Sequence, residues 1–207
     1  MTLEIFEELI KIECEKSFAD LKDGRRKLKF DKKIKTNSMI DVVFLNRDNP
    51  CRFHQSCTIT FGNVLEKTAM NYAERMDAKV FRNKNLLASN IDVLFKINRM
   101  IYLLESKVNI ELDNEKSRKA LESLKRKGTI VFNALRCQDE GWQVISKFVV
   151  WTKEDALEAS TTAKKPIDVR NLMGFKDFFM LFGVNITKQE FFNMLQKVWV
   201  EEVEAYL

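Results

Sequence analysis

Residues 90–108 read NIDVLFKINRMIYLLESKV, and this stretch decides the fold. Two apolar runs, 90–95 and 100–108, are rich in β-branched and aromatic side chains and are short for helices. The polar tetrad 96–99 separates them. The pattern therefore predicts two strands joined by a tight turn, which is an antiparallel hairpin.

The second strand ends in an acidic residue, one further residue and a lysine. This spacing occurs four times in the chain: Asp20-Leu-Lys22, Asp31-Lys-Lys33, Asp77-Ala-Lys79 and Glu105-Ser-Lys107. In the first three, a helix end, a charge run and a helix-to-strand junction, a solvated ion pair is the simple explanation. Only Glu105 follows five consecutive apolar residues. Charged groups at the end of such a central strand cost desolvation free energy unless they serve a function.

The hairpin brings a second carboxylate to the same face. If 97 and 98 form the centre of the turn, Asp92 lies opposite Leu103, which shares a face with Glu105 and Lys107 because side chains alternate with a period of two. Asp92 is then the diagonal neighbour of Glu105, at about 7–8 Å. Asp41, in the similar segment 40–44, is followed by no strand ending in Glu-x-Lys. The predicted pair is therefore Asp92 and Glu105.

Two converging carboxylates with open coordination positions suit Mg²⁺, which keeps several waters and accepts phosphate oxygens as ligands. A neighbouring lysine, Lys107, can orient or help to deprotonate an attacking water and can stabilise charge on the phosphoryl oxygens. The pattern therefore predicts phosphodiester hydrolysis with Mg²⁺ as the cofactor.

These residues resemble the motif of the PD-(D/E)xK nucleases and, within them, of the type II restriction endonucleases. Ile91-Asp92 and the segment 102–107 carry the motif, with Ile91 in the place of the proline. The segments 61–66 and 108–117 resemble the flanking parts of such enzymes, and 174–183 does so more weakly. The resemblance implies an α/β fold with a restriction-endonuclease-like core, a central mixed β-sheet flanked by helices. That core would span about 60–155 of a single nuclease domain, 1–207, with helical additions at both ends.

The resemblance also implies roles for individual residues. Mg²⁺ would be held by Asp92, Glu105 and the backbone carbonyl of Ser106, Lys107 would be catalytic, and cleavage would leave a 5′-phosphate. Glu66 would be a further ligand or an orienting acid. The alternative for Glu66 is a carboxylate near a helix N-terminus that the helix dipole stabilises.

A type II restriction endonuclease would bind double-stranded DNA as a homodimer, since a palindromic target mirrors protein two-fold symmetry, and would have a cognate DNA methyltransferase in the same system. The net charge of +5 permits binding to a polyanion. Candidate DNA contacts, for which a solvated helix face is the alternative, are Asn109, Lys116, Arg118, Lys119, Lys125, Arg126 and Lys127. Two other functions remain open: a nuclease of repair, junction resolution or nicking, and a non-catalytic DNA-binding module in which Glu105 and Lys107 form an ion pair.

The remaining patterns predict the elements around this core. Predicted helices cover 2–22, 60–76, 115–127 with an end at Gly128, and 188–207; further predicted strands cover 79–83, 129–135 and 142–151. Cys51, His54 and Cys57 have ligand types suited to zinc, with ordinary thiols and a polar loop histidine as the alternative. No export signal is visible and the apolar stretch 178–186 is too short to cross a bilayer, so we expect a soluble cytoplasmic protein with no membrane partner.

Overall fold

The computed structural model of the protein describes residues 2–22, 55–82, 91–107, 114–161 and 167–202. The helices are α1 Thr2–Lys22, α2 Gln55–Arg75, α3 Asn114–Ala134, α4 Ala156–Thr161, α5 Phe175–Met180 and α6 Lys188–Glu202. The strands are β1 Lys79–Val80, β2 Val93–Ile97, β3 Met100–Lys107, β4 Gln143–Val150 and β5 Leu172–Gly174. The predicted α/β architecture, with a mixed sheet flanked by helices, is confirmed.

The five strands form one sheet in the order β1-β2-β3-β4-β5. The first two pairings are antiparallel, and the pairings of β3 with β4 and of β4 with β5 are parallel. Parallel neighbours need a crossover connection, and α3 lies in the crossover between β3 and β4. The carboxyl ends of β3, β4 and β5 therefore lie at one edge of the sheet, together with the amino end of β2. We call this edge the C-terminal edge.

Apolar side chains cover both faces of the sheet. On one face, α1, α2, α5 and α6 share a cluster that includes Val93, Phe95 and Leu104. On the other face, α3 and α4 pack over a second cluster that includes Leu94 and Leu103. Because neighbouring strand residues point to opposite faces, Glu105 and Lys107 lie on the face of Leu103, the face covered by α3.

The hairpin forms as predicted, but its turn is shorter and lies one residue later. Asn98 and Arg99 make the turn, and Lys96 and Ile97 belong to β2 rather than to a polar tetrad. Asn98 has a φ of 53°, in the left-handed region that asparagine tolerates better than most residues. Val93 pairs with Leu104, so continuing this register places Asp92 opposite Glu105, not opposite Leu103. The residue opposite Asp92 thus shifts by two positions, from Leu103 to Glu105. Because side chains alternate with a period of two, Asp92 stays on the predicted face of the sheet.

The predicted end of the third helix at Gly128 and the predicted strand 129–135 are both wrong. Helix α3 runs on to Ala134, and Leu124 and Val131, seven residues apart, are both buried under the sheet. Burial on a helix face outweighs the β-propensity of the run after Gly128. A Cβ at Gly128 would lie 2.6 Å from Ser146 Oγ of β4, so the glycine permits close packing of α3 on the sheet.

The other long elements agree with the sequence to within a few residues. Helix α1 and strand β4 match, α2 begins earlier than predicted, and α6 begins at Lys188 as predicted. The short elements α4, β5 and α5 were not predicted, because they hold too few residues to show a period. None of the helices in the described parts of the chain is long and apolar enough to cross a membrane.

Candidate active site

The candidate catalytic residues lie at the C-terminal edge of the sheet. Lys107 is the last residue of β3, and Glu105 lies two residues before it. Asp92 immediately precedes β2. The antiparallel pairing of β2 with β3 brings the start of one strand to the end of the other. The structure therefore brings together the three residues that the sequence predicted to act together.

A backbone hydrogen bond holds Asp92 beside β3. The Ser106 N–H donates to Asp92 Oδ2 over 2.9 Å, at the point where the ladder between β2 and β3 has ended. The Asp92 carboxylate thus accepts the Ser106 N–H in place of a backbone carbonyl of β2. The negative charge of Asp92 is also close enough to raise the pKa of Glu105. Asp92 and Glu105 therefore form one electrostatic unit.

Glu105 is a buried carboxylate with a cationic partner from another element. Only 8% of the residue is exposed, and burial, the largest influence, raises the pKa of its carboxyl group. Lys127 of α3 opposes this shift by donating from Nζ to Glu105 Oε1 over 2.6 Å, and the charge of Lys107 acts in the same direction. Glu105 is thus desolvated, close to the like charge of Asp92, paired with Lys127 and influenced by the charge of Lys107.

Ser106 lies between the candidate catalytic residues Glu105 and Lys107, and hydrogen bonds hold it on both sides of β3. Its hydroxyl, on the opposite face, accepts a buried hydrogen bond of 2.9 Å from Trp151 Nε1. The carbonyl of Lys107 accepts from the Trp151 N–H on the β4 side. Because carbonyls alternate in direction along a strand, the Ser106 carbonyl faces the side of Asp92. The Ser106 carbonyl, the backbone ligand implied by the motif, therefore lies on the same side of β3 as Asp92.

Replacing Ser106 by alanine should destabilise the protein by about 1–3 kcal/mol, because it leaves the buried Trp151 N–H without its acceptor. Equilibrium unfolding in urea would measure this loss. Ser123→Ala, on the partly exposed side of α3, is a matched control and should change the free energy of unfolding by less than about 0.5 kcal/mol. Equal effects of the two substitutions would show that the hydrogen bond from Trp151 contributes nothing.

The donor set suits a cation that keeps much of its water. Among the residues that the structure describes, no group of three or more His, Cys, Asp or Glu side chains is arranged to hold a metal ion. Asp92, Glu105 and the Ser106 carbonyl offer two carboxylates and one neutral oxygen. Mg²⁺ is commonly bound by one or two carboxylates, with waters and phosphate oxygens completing its shell. The set therefore fits Mg²⁺ and not a closed zinc site.

Comparisons of the chain with known proteins do not identify this site. No family model matches the chain, and no curated protein or solved structure matches it either. Function is therefore inferred from the geometry at the C-terminal edge and from the motif that these residues make.

Glu66 lies on a different element from Asp92 and Glu105. It lies in the middle of α2, so its interpretation as a carboxylate at a helix N-terminus is wrong. The apolar side of α2, with Val64 and Leu65, packs in the cluster on the face opposite to Glu105. The role of Glu66 as a further acid stays a prediction.

The candidate DNA contacts divide into two groups. Arg118, Lys119, Lys125 and Arg126 are exposed on the solvent side of α3, and Arg118 Nε lies 3.8 Å from Glu122 Oε1. Lys127 instead points inward to Glu105. Asn109 and the side chain of Lys116 lie outside the described residues, as do Cys51, His54 and the side chain of Cys57.

The position of Lys127 has a signal in the sequence that was missed. Leu124 and Val131, three residues before and four residues after it, place Lys127 on the apolar stripe of α3. Because the helix was predicted to end at Gly128, Val131 was not counted as part of that apolar stripe. With the helix drawn at its true length, Lys127 is the basic residue that faces the sheet.

Proposed function

We propose that the protein is a Mg²⁺-dependent deoxyribonuclease of the PD-(D/E)xK type with a restriction-endonuclease-like core. The observation that carries this proposal is the pairing of Asp92 with the buried Glu105 where β3 ends. A buried carboxylate next to a second carboxylate is costly unless a cation or a reaction uses both. The order of helix, antiparallel hairpin, crossover helix and parallel strand supports the same family.

Within that class, we propose a type II restriction endonuclease that hydrolyses double-stranded DNA at a short sequence and leaves 5′-phosphate ends. The resemblance of 102–107 and its flanking segments supports this finer assignment. A homodimer and a cognate DNA methyltransferase belong to the same proposal. The exposed cations of α3, Lys125 and Arg126 among them, would contact phosphates.

Asp92, Glu105 and the Ser106 carbonyl would hold Mg²⁺, which supplies Lewis acidity at the phosphoryl oxygen and lowers the pKa of a bound water. Lys107 lies two residues beyond Glu105 on the same face, where its ammonium can orient the attacking water and stabilise negative charge on the phosphate. The hydrogen bond that the Ser106 N–H donates to Asp92 Oδ2 keeps this carboxylate at the C-terminal edge. The hydrogen bond that Trp151 Nε1 donates to Ser106 Oγ stabilises β3 on the opposite face of the sheet.

One observation favours the non-catalytic alternative. Glu105 already has a protein cation as its partner, since Lys127 Nζ lies 2.6 Å from Oε1. A DNA-binding module could keep such an ion pair for structure alone. In that case the pair contributes to stability, and substitution of Glu105 changes DNA binding little.

Incubation with supercoiled plasmid and long linear DNA, with Mg²⁺ or with EDTA, tests the proposal. We expect cleavage with Mg²⁺, none with EDTA, and discrete bands from the linear DNA. A product that consists of nicked circles alone, or of DNA cut at junctions, would support the repair, junction-resolution or nicking nuclease instead. Binding of DNA without any cleavage over a panel of sequences would support the module and contradict the nuclease.

A further inference from the structure

The ion pair between Lys127 and Glu105 is the most enclosed ion pair that the described residues show at the sheet edge. The side chains of Lys127 and Glu105 are only 14% and 11% exposed, and their atoms Nζ and Oε1 are 2.6 Å apart. The pairing is between α3 and β3, so it depends on the tertiary structure. A buried carboxylate without a cation is strongly unfavourable, and the structure supplies Lys127 as that cation.

The backbone of α3 is positioned so that Lys127 reaches Glu105. Leu124 and Val131 fix the helix on the apolar layer on either side of Lys127. Gly128, the next residue, lies close to β4, because a Cβ there would lie 2.6 Å from Ser146 Oγ and would require that hydroxyl to move. Lys127 therefore extends along the apolar layer to the C-terminal edge, whereas its basic neighbours Lys125 and Arg126 are exposed.

We propose that Lys127 is an internal counter-cation that occupies the metal position on Glu105 in the metal-free protein and is displaced when the divalent cation binds. This inference rests on the proposed function, because it takes Asp92 and Glu105 as metal ligands. Oxygen Oε1 cannot accept the ammonium at 2.6 Å and coordinate a metal along the same direction. Two cations at one small site also repel each other. Binding of the metal thus frees a positive charge next to the phosphate that is to be cleaved.

Binding of Mn²⁺ or Mg²⁺ to the DNA-free protein, measured by isothermal titration calorimetry at mildly alkaline pH, tests this competition. Lys127→Met should bind the metal about tenfold more tightly than the native chain, since no charge-assisted hydrogen bond has to be broken. Lys67→Met, which removes an exposed charge from α2, should bind as the native chain does. Glu105→Gln should not bind the metal at this position.

Chemical labelling of the native chain gives a second readout that needs no substitution. Reductive methylation followed by peptide mass spectrometry should modify Lys127 slowly without metal and several-fold faster with saturating Mg²⁺, while the exposed Lys125 reacts equally under both conditions. In Glu105→Gln, the rate at Lys127 should no longer depend on the metal. A purely structural role for Lys127 predicts no such change on metal binding.

The outcomes separate this inference from the proposed function. If the native chain binds metal through Glu105 but Lys127→Met binds no more tightly and the labelling of Lys127 stays constant, the counter-cation role is wrong and the nuclease stands. If neither the native chain nor Lys127→Met binds Mn²⁺ or Mg²⁺, the metal-dependent function is wrong and the inference fails with it. If Lys127→Met does not fold, as judged by circular dichroism, the labelling of the native chain decides.

Discussion

Glu105→Gln and Asp92→Asn should each lower the rate of Mg²⁺-dependent DNA cleavage by about a thousandfold or more. Each substitution keeps the size of the side chain and removes one of the two charges that would hold the metal. Both residues lie at the end of β3, where Asp92 accepts the Ser106 N–H over 2.9 Å and Glu105 is 8% exposed. Single-turnover cleavage of a plasmid under saturating Mg²⁺ measures the loss.

The chain contains a matched control for this experiment. Asp77-Ala-Lys79 has the same acid-x-Lys spacing, but Asp77 is exposed in a turn with a φ of 61°, a conformation that asparagine tolerates. Asp77→Asn should therefore leave cleavage unchanged. If Glu105→Gln retained the native rate while folding normally, the catalytic role of the pair would have to be abandoned.

Trp151→Ala should lower the free energy of unfolding by about 3–5 kcal/mol, as expected for the loss of a large buried aromatic side chain. Trp151 is 1% exposed and packs edge to face on Phe178, with ring centroids 5.3 Å apart. It also donates its indole N–H to Ser106 Oγ. The substitution therefore leaves a cavity and an unpaired hydroxyl directly behind the candidate active site. Urea unfolding followed by far-ultraviolet circular dichroism measures the change.

Trp142 provides the control for Trp151. It lies just before β4, is partly exposed, and has Lys96 Nζ 3.9 Å from its ring centroid. Trp142→Ala removes this cation–π contact and partly buried packing against the cluster on the α3 face, so it should cost less than the loss of the fully buried Trp151. A loss for Trp151→Ala that is no larger than for Trp142→Ala would mean that Trp151 does not support the site.

The hairpin shows why the shared face of Asp92 and Glu105 could be predicted even though the turn was misplaced. Alternation with a period of two assigns Asp92, Glu105 and Lys107 to one face, and the register error changed the partner of Asp92 by an even number of positions. The predicted face therefore survived, and the two carboxylates are directly opposed instead of diagonal. An odd error would have placed Asp92 on the other face, in the cluster of Val93 and Phe95.

Helix α3 shows where local patterns misled. The β-branched residues after Gly128 favour a strand by propensity, and glycine favours a helix end. Both preferences are worth about 1 kcal/mol per residue or less, whereas the burial of Val131 under the sheet is worth about 2 kcal/mol. The packing partner of Gly128, Ser146, lies on a strand that is distant in sequence.

The sequence by itself determined the hairpin, the face shared by Asp92 and Glu105, the α/β class and most of the long helices. These features depend on the periodicity of apolar residues that are close together in the chain, and such periodicity can be read without knowledge of other elements. Only the tertiary structure decided that Lys127 is the partner of Glu105 and that Trp151 holds Ser106. Those contacts join different elements, so their distances depend on how closely α3 and β4 pack against the edge where β3 ends.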